Sequence, residues 1–431
     1  MREHVSKLIG EAEEIRPHAN GDARPGGGAA DKKAANWEAE RKELATKVAD
    51  LALTRLTDEA KYLFELRAQM ARTGLTKREL AGLVKPVYEK LKAKQDQELG
   101  GEAPPAQRDE VEAIGRSCEL FRDADGAGYA SVQREGHCET WSISSDRFRR
   151  YLLGEYRRRH GRLAAGTALS DGIEGIAALA AEGPIREVFV RVADAGGRIY
   201  LDLGRDDWKI VEIDGQGWRI LDTSPVPFLR PAGMRPLPLP CRDALGIARL
   251  RPLVNIPSDK DWILYVSFLI GCFLPKGPYP ILIVNGEQGS AKTWTIKVTR
   301  RLLDPAKIDA AKPPRSEEDL LIVALHYRLL CYDNFSSIGD WLADAFCRLS
   351  SGAGEQKRTL HTNTDLTEIN AWRPLALNGI PDLTSRGDFA DRTIVLVQPR
   401  IPDERRRQEE ELDQELISSA PTILGGLLDG V

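Results

Sequence analysis

A short apolar run enters a glycine-rich turn that ends in lysine and threonine, and these residue types suit phosphate binding. The run reads ILIVNGEQGSAKT over residues 281–293, and a helical pattern, TWTIKVTRRLL, begins at its last residue. In such a turn backbone N–H groups point inward at a triphosphate, lysine reaches the β- and γ-phosphates, and the threonine hydroxyl can ligate Mg²⁺. The predicted nucleotide-binding residues are Gly286, Glu287, Gln288, Gly289, Ser290, Ala291, Lys292 and Thr293.

The turn departs from the usual P-loop pattern G-x-x-x-x-G-K-[ST] at one position, because Ala291 stands directly before Lys292. Alanine costs little there if its φ is negative, and Gly286 and Gly289 let the backbone turn sharply. A chance glycine-rich turn between a strand and a helix is the structural alternative.

An acidic residue ends the next strand-like run, RLLCYDN, over residues 328–334. Asp333 follows the turn by about forty positions, where a Walker B aspartate holds the hydration shell of Mg²⁺ through its oxygens. A buried strand ending in an Asp-Asn turn is the alternative. Asn334 occupies the place of the glutamate that normally polarises the attacking water, so the pattern supports nucleotide binding more strongly than hydrolysis.

Two further polar residues sit beside strand-like runs. Asn378 ends the apolar part of PLALNGI, over residues 374–380, and its amide can hydrogen-bond a γ-phosphate or the attacking water. Arg392 precedes the β-branched run in FADRTIVLV, and a fixed guanidinium can stabilise charge on a transferring phosphoryl group, often across a subunit boundary. Arg386 is the competing candidate for that role. The predicted catalytic residues are therefore Asp333, Asn378 and Arg392, and the predicted metal ligands are Thr293 and Asp333.

The order of these motifs resembles that of superfamily 3 helicases and the related primase-helicase ATPases of phages and plasmids, a branch of the AAA+ class. The segment DAFCRLSSGAGEQKRTLHTNTD also looks like their L-[ST]-x-G motif followed by basic residues and a polar hairpin. The resemblance implies a homo-oligomeric ring whose hairpin touches single-stranded DNA, with Lys357 and Arg358 as the contacting pair and His361 at or near the hairpin. A solvated charged loop is the alternative for these residues.

The run from GEQGSAKT through LNGI to FADR is also similar to a group of actinobacterial and phage ATP-binding proteins found on mobile elements, over about residues 110–431. This resemblance implies ATP and Mg²⁺ as cofactors and a role in replication. Two features depart from it: Asn334 replaces the glutamate, and the sequence ends at PTILGGLLDGV, where relatives continue into a further helical segment. A truncated product is one interpretation of that ending.

Composition adds few constraints. The 431 residues predict two to four domains, and the net charge of −4 means that any DNA contact must come from local basic patches. The six cysteines form no C-x-x-C pair, so neither a zinc site nor a disulfide framework is expected. The apolar run DWILYVSFLIGCFL is too short to span a bilayer and the charged N-terminus is no signal peptide, so we expect a cytoplasmic protein without membrane contact.

Glycine, proline and charge patterns divide the chain into segments around these motifs. The predicted fold class is an α/β P-loop NTPase domain of AAA+ type, preceded by an α+β module and an N-terminal helical segment. The predicted segments are a disordered tail (1–35), an amphipathic helical segment (36–98), a linker (99–110), the α+β module (111–240), a connector with a buried helix (241–276), the ATPase domain (277–400) and C-terminal helices (401–431).

One helical run in the α+β module, SDRFRRYLLGEYRRRHG, is rich in arginine. These side chains either grip phosphates or pair with neighbouring acids on a solvated helix. With Arg162, which follows the run, the arginines are Arg147, Arg149, Arg150, Arg157, Arg158, Arg159 and Arg162. Three nearby acids, Asp202, Asp206 and Asp207, are better explained by a hairpin turn than by a metal-dependent polymerase or nuclease centre.

Three hypotheses for the function follow. The first is a DNA-translocating, helicase-like ATPase of phage or mobile-element replication. The second is an ATP-dependent switch or scaffold that binds nucleotide with little hydrolysis, which Asn334 favours. The third is a DNA- or protein-binding module with a vestigial ATPase fold.

Overall fold

The computed structural model of the protein describes residues 106–134, 136–352, 355–358, 366–369, 372–379 and 387–431, with the backbone alone at 355–358 and 366–369. The chain divides into two compact units, Met1–Pro105 and Ala106–Val431, and all described residues belong to the second. The predicted tail and amphipathic helical segment lie outside the described residues, as do His361 and Arg386.

The second unit contains both helices and strands. The α-helices of the described residues are α1 (Gln107–Arg116), α2 (Asp146–His160), α3 (Gly166–Glu182), α4 (Asp259–Gly271), α5 (Lys292–Leu303), α6 (Glu317–His326), α7 (Asp340–Ser351), α8 (Gly387–Ala390) and α9 (Glu409–Leu428). The strands are β1 (Glu119–Arg122), β2 (Gly128–Arg134), β3 (His137–Ser142), β4 (Val192–Ala195), β5 (Arg198–Asp202), β6 (Ile210–Asp214), β7 (Gly217–Leu221), β8 (Ile281–Gly286), β9 (Leu330–Phe335), β10 (Glu355–Arg358), β11 (Leu366–Ile369), β12 (Leu375–Gly379) and β13 (Thr393–Gln398). Two 3-10 helices cover Ile247–Leu253 and Asp403–Arg405.

Helices α1, α2 and α3 pack with an antiparallel sheet of order β1-β2-β3. The predicted helical run of the α+β module forms α2, which begins where the Ser145 hydroxyl accepts a hydrogen bond from the Phe148 N–H and ends at Gly161 with φ of 67°. Phe148, Leu152 and Tyr156 of α2 are fully buried in the core of this part of the chain.

A second antiparallel sheet, of order β4-β5-β6-β7, follows. Its first hairpin turns at Gly196 and Gly197, both with positive φ. Asp202 is buried in an ion pair with Arg230, and Asp207 pairs with Arg205 in the turn after β5. The Asp202 Oδ1 also accepts the Gly204 N–H at 2.9 Å, so Asp202 and Asp207 each have a contact within the turn after β5, as the hairpin interpretation predicts.

The third sheet positions the predicted chemistry. Its four strands are parallel, in the order β13-β8-β12-β9, so their carboxyl ends meet at one edge. Beyond β9 the sheet gains a single parallel bridge between Ala311 and Tyr332, where the Ala311 N–H donates to the Cys331 carbonyl at 2.9 Å. The apolar runs that predicted strands at 281–286, 328–334 and 374–380 form β8, β9 and β12. This sheet, with its helices, is the α/β part of the fold.

The predicted polar hairpin corresponds to β10 and β11, which pair in antiparallel fashion. Lys357 lies opposite Thr367 and Arg358 opposite Leu366 in the backbone register.

The apolar run predicted to form a buried helix forms α4, but only one side of this helix is buried. Tyr265, Phe268 and Leu269 lie in the core, whereas Ile263 is 63% exposed and Leu264 is 43% exposed. The prediction of a buried helix was wrong for the side of α4 that carries Ile263 and Leu264. A uniformly apolar sequence has no periodicity to mark the side that faces the protein. No helix in the part of the chain that the structure describes is long and apolar enough to cross a membrane.

A buried ion pair joins the second sheet to the third. The Arg191 Nε donates to Asp304 Oδ1 at 2.9 Å, with both side chains almost completely excluded from solvent. Asp304 directly follows α5 and also accepts the N–H groups of Arg328 and Leu329. The position of α5 is therefore coupled to the module that precedes it.

Candidate nucleotide-binding site

The glycine-rich turn leaves β8 at Gly286 and enters α5 at Lys292. The backbone at Ala291 is left-handed, with φ of 67° and ψ of 29°. The negative φ that would make alanine inexpensive at this position is therefore absent. For a residue with a Cβ, this conformation costs about 1–2 kcal/mol, a strain that the glycine of the usual pattern avoids.

The two glycines of the turn occupy positions that disfavour a side chain. A Cβ on Gly286 would lie 2.5 Å from the Gln398 carbonyl oxygen and 2.6 Å from Ser290 Oγ. Gly289 has φ of 85°, and a Cβ there would lie 2.6 Å from a guanidinium nitrogen of Arg406. The backbone contact excludes larger residues at Gly286, whereas at Gly289 the positive φ disfavours them, because the Arg406 guanidinium can move aside.

Lys292 lies folded over the turn. Its Nζ donates to the carbonyl oxygens of Gly286 at 2.6 Å and Glu287 at 2.8 Å. Burial lowers the pKa of Lys292, and the nearby Asp333 carboxylate opposes this effect. The ammonium is thus held within the turn that the sequence predicts to cradle phosphates.

A hydrogen-bonded chain links predicted residues of α5, β9 and β12. Thr293 Oγ1 donates to Asp333 Oδ1 at 3.0 Å, and Asn378 Nδ2 lies 3.4 Å from Thr293 Oγ1. Asn378 Oδ1 accepts the Asn334 N–H at 2.7 Å, and Asn378 is only 1% exposed. The structure thus brings Lys292, Thr293, Asp333 and Asn378 together at the carboxyl edge of the third sheet.

Asn334 adopts a left-handed backbone, with φ of 67°, directly after Asp333. Asparagine tolerates this conformation better than most residues. This conformation directs the Asn334 N–H toward Asn378 Oδ1, to which it donates a hydrogen bond, while Asn334 as a whole is exposed.

The oxygens of Thr293 and Asp333 form a donor set that suits Mg²⁺, because hard cations prefer oxygen ligands. Within the described ranges, no group of three or more His, Cys, Asp and Glu residues is placed to hold a metal ion. A cation at Thr293 and Asp333 would therefore complete its shell with phosphate oxygens and water, as Mg²⁺ commonly does.

Arg392 does not join this cluster. Its carbonyl accepts the Ile281 N–H at 2.9 Å, which places it at the amino end of β8. The register pairs Thr393 with Ile281 and Gln398 with Gly286, so Arg392 lies roughly 17 Å or more from the glycine-rich turn at about 3.3 Å per residue. Arg392 is exposed and cannot reach the turn of its own protomer.

A cleft of about 720 Å³ opens beside the turn, between the segment before α4 and the segment after β13. Asn255 holds these segments together, since its Nδ2 donates to the carbonyls of Ser290 at 3.0 Å and Pro399 at 2.7 Å. The Ile401 N–H donates to the Gly289 carbonyl at 3.1 Å, so the segment after β13 lies against the turn itself.

Cationic side chains line this cleft, and sequence reasoning missed them. They are Arg400, Arg405, Arg406 and Arg407. Arg406 is anchored by Asp403 at 3.0 Å and touches Gly289. The signal in the sequence was the run ERRR at 404–407, a few residues after the last strand, but its proximity to the turn depends on tertiary structure.

The described backbone places Lys357 and Arg358 on the first strand of the β10–β11 hairpin, away in sequence from the turn. Their proposed DNA contacts stay a prediction.

Comparisons with known proteins bear on the C-terminal part of the chain. Residues 247–431 match the family model described as "Actinomycete integrative conjugative element replication protein", so this part is similar to that family. The match covers less than half of the chain and includes the glycine-rich turn, Asp333, Asn378 and Arg392. No curated protein matches the sequence.

Two solved structures give weak likenesses. An apo structure of the NrS-1 C-terminal region is 12% identical with a TM-score of 0.44, covering 73% of this chain and 67% of that one. A structure of JCV helicase is 15% identical with a TM-score of 0.28, covering 42% of this chain and 52% of that one. Both TM-scores are below 0.5, so neither likeness carries weight for the site.

Proposed function

We propose that this protein is an ATP-binding, ATP-hydrolysing DNA translocase of helicase type that acts in the replication of a phage or mobile element. The observation that carries the proposal is the convergence of Lys292, Thr293, Asp333 and Asn378 at the carboxyl edge of a parallel sheet. The similarity of residues 247–431 to replication proteins of integrative conjugative elements supports the replication role.

Each of these residues has a distinct part in the proposed site. Lys292 releases the carbonyls of Gly286 and Glu287 and donates instead to the β- and γ-phosphates of ATP. Thr293 and Asp333 would hold Mg²⁺, which would neutralise charge on the phosphates. Asn378, fixed by the Asn334 N–H, orients the γ-phosphate or the attacking water with its amide.

The cleft beside the turn is the proposed place for the base and sugar of the nucleotide. It adjoins the turn through Gly289 and Ala291 and has apolar walls that include Val254, Pro257 and Ile401. Arg406 stands at the boundary between the cleft and the turn, where it can meet phosphate charge within the same protomer.

The proposed assembly is a homo-oligomeric ring around single-stranded DNA. Strand β13 forms one edge of the sheet and exposes Val395 and Val397, at 36% and 65%, beside the exposed Arg392. An edge of this kind suits contact with a second copy. In such a ring Arg392 would serve the neighbouring nucleotide, and the hairpin with Lys357 and Arg358 would face the DNA.

An ATP-dependent switch with little hydrolysis is the second candidate. Asn334 follows Asp333 where a glutamate would polarise water, and its backbone N–H is committed to Asn378. A protein of this kind would bind ATP with the same residues and change state on binding.

ATP turnover by the purified chain, with and without single-stranded DNA, tests the proposal. Lys292→Ala should lower turnover at least about a hundredfold, because it removes the side chain placed to neutralise the β- and γ-phosphates. Lys307→Ala is the matched control, since Lys307 is exposed beyond the far end of α5 and should leave turnover unchanged.

The outcomes separate the candidates. DNA-stimulated turnover that Lys292→Ala removes supports the translocase. ATP binding by the parent protein without turnover favours the switch. Equal binding and turnover in parent and Lys292→Ala would reject the nucleotide site itself.

A further inference from the structure

Helix α2 carries a row of exposed arginines far in sequence from the nucleotide site. We name as the arginine stripe the residues Arg147, Arg150, Arg157 and Arg158, with Gly154 at its centre. Steps of three or four residues lead from Arg147 to Arg150, to Gly154 and then to Arg157 or Arg158, which places all of them along one side of the helix. The opposite side, with Phe148, Leu152 and Tyr156, is buried.

The arginine stripe is incompletely neutralised. Arg147 lies 3.5 Å from Glu139, and Arg158 pairs with Glu155. In the ranges with described side chains, no carboxylate lies within 4.0 Å of the guanidinium nitrogens of Arg150 or Arg157. Since the whole chain has a net charge of −4, this positive surface is not a by-product of a basic composition.

Helix stability does not explain the arrangement. Cations stabilise a helix at its C-terminal end, which accounts for Arg157 and Arg158, but not for Arg147 in the first turn, where the helix dipole disfavours it, or for Arg150 in the second. Arginines at both ends of α2 therefore point to a ligand with negative charge along the length of the helix.

Gly154 is the second unexplained feature of the stripe. A glycine inside a helix costs about 1 kcal/mol relative to alanine, and Gly154 is exposed with no positive φ. A Cβ there would have no atom within 4 Å, so packing does not require glycine. What glycine does provide is a gap between Arg150 and Arg157, through which a polymer backbone can approach the helix closely.

We propose that the arginine stripe binds the phosphate backbone of nucleic acid, independently of nucleotide. From Arg147 to Arg158 the stripe spans roughly 16 Å at 1.5 Å per residue, and nucleic acid carries one charge per about 3.4 Å on each strand. Several phosphates can therefore lie along it, with the backbone passing over Gly154. This proposal goes beyond the ATP-dependent function, because the stripe lies outside residues 247–431 and uses no residue of the nucleotide site.

Salt-dependent binding of the full chain tests the stripe. The probes are a labelled single-stranded oligonucleotide and its duplex, without ATP, between about 50 and 200 mM salt. The slope of log affinity against log salt is negative. In Arg150→Gln/Arg157→Gln it should become less steep, by about 1.4 for the single strand or about 1.8 for the duplex, because two phosphate contacts are lost. Arg108→Gln/Arg116→Gln is the matched control, because these exposed arginines of α1 already pair with Asp109 and Glu112.

Gly154→Ala provides an independent variant that should fold at least as well as the parent. It should raise stability in urea yet weaken nucleic-acid binding several-fold, a combination that a purely structural role does not produce. A salt slope in the double variant that is unchanged for both the single strand and the duplex overturns the proposal. Lys292→Ala should leave nucleic-acid binding by the arginine stripe unchanged. Failure of the ATPase proposal is therefore distinguishable from failure of the proposal for the arginine stripe.

Discussion

Ala291 is the residue at which the glycine-rich turn is strained. Ala291→Gly should raise the free energy of unfolding by up to about 1 kcal/mol, because relief of a left-handed conformation worth about 1–2 kcal/mol exceeds the added chain entropy of glycine. The shift in the urea midpoint measures this change.

The matched control for that substitution is Ala178→Gly in the middle of α3, at an exposed helical position. There glycine should destabilise by about 1 kcal/mol. Destabilisation of similar size at both positions would contradict the strained backbone at Ala291.

At the level of single residues, the sequence predicted the cluster of Thr293, Asp333 and Asn378, but neither the contact of Arg406 nor the backbone conformation of Ala291. Thr293, Asp333 and Asn378 each follow or end an apolar strand, and parallel strands bring such residues to one edge, so their meeting was predictable. Arg406 could not be placed in this way, because its contact with Gly289 depends on how the chain leaves β13. The sign of φ at Ala291 likewise depends on the contacts that close the turn.

At the scale of elements, the pair of Arg191 and Asp304 fixes α5 against the preceding module. Arg191→Met should lower the free energy of unfolding by about 3–5 kcal/mol near neutral pH, because it leaves Asp304 as a buried charge with fewer partners. Urea denaturation measures this loss. Arg108→Met on the surface of α1 is the control and should change stability by less than about 0.5 kcal/mol.

The pH dependence of this loss has a definite sign. Burial acts to raise the pKa of Asp304, but the charges of Arg191 and Arg300 outweigh it, so the pKa is lowered. The pair therefore stabilises the parent protein above the unfolded pKa of about 3.9 and loses its effect as pH falls through the folded value. The difference between parent and Arg191→Met should shrink below about pH 4, and a constant difference would assign the loss to packing.

Strands were easier to predict than the contacts between elements. Continuous apolar runs identified β8, β9 and β12, since strands buried on both faces contain few polar residues. The same uniform pattern concealed which side of α4 is buried. The bridge at Ala311 was not predictable, because a single pair of residues leaves no repeating pattern.

At the scale of the whole molecule, the proposed catalytic role of Arg392 requires a second copy of the chain. Arg392 and Lys292 lie at opposite ends of the sheet, so the arginine can act only on the nucleotide of another copy. Arg392→Ala should therefore abolish turnover without weakening ATP binding, whereas Lys292→Ala abolishes turnover through the protomer's own site.

Mixing these two inactive variants distinguishes an arginine acting between copies from one acting at its own site. In a mixed ring, a protomer with intact Lys292 can receive Arg392 from a neighbour that carries Lys292→Ala, so an equimolar mixture should recover up to about a quarter of the parent turnover. Lys292→Ala mixed with Lys292→Ala/Arg392→Ala is the control and should stay inactive. Turnover of the first mixture no higher than the separate variants would reject a shared site. Contact between copies would then no longer explain why Val395 and Val397 are exposed on the edge strand β13.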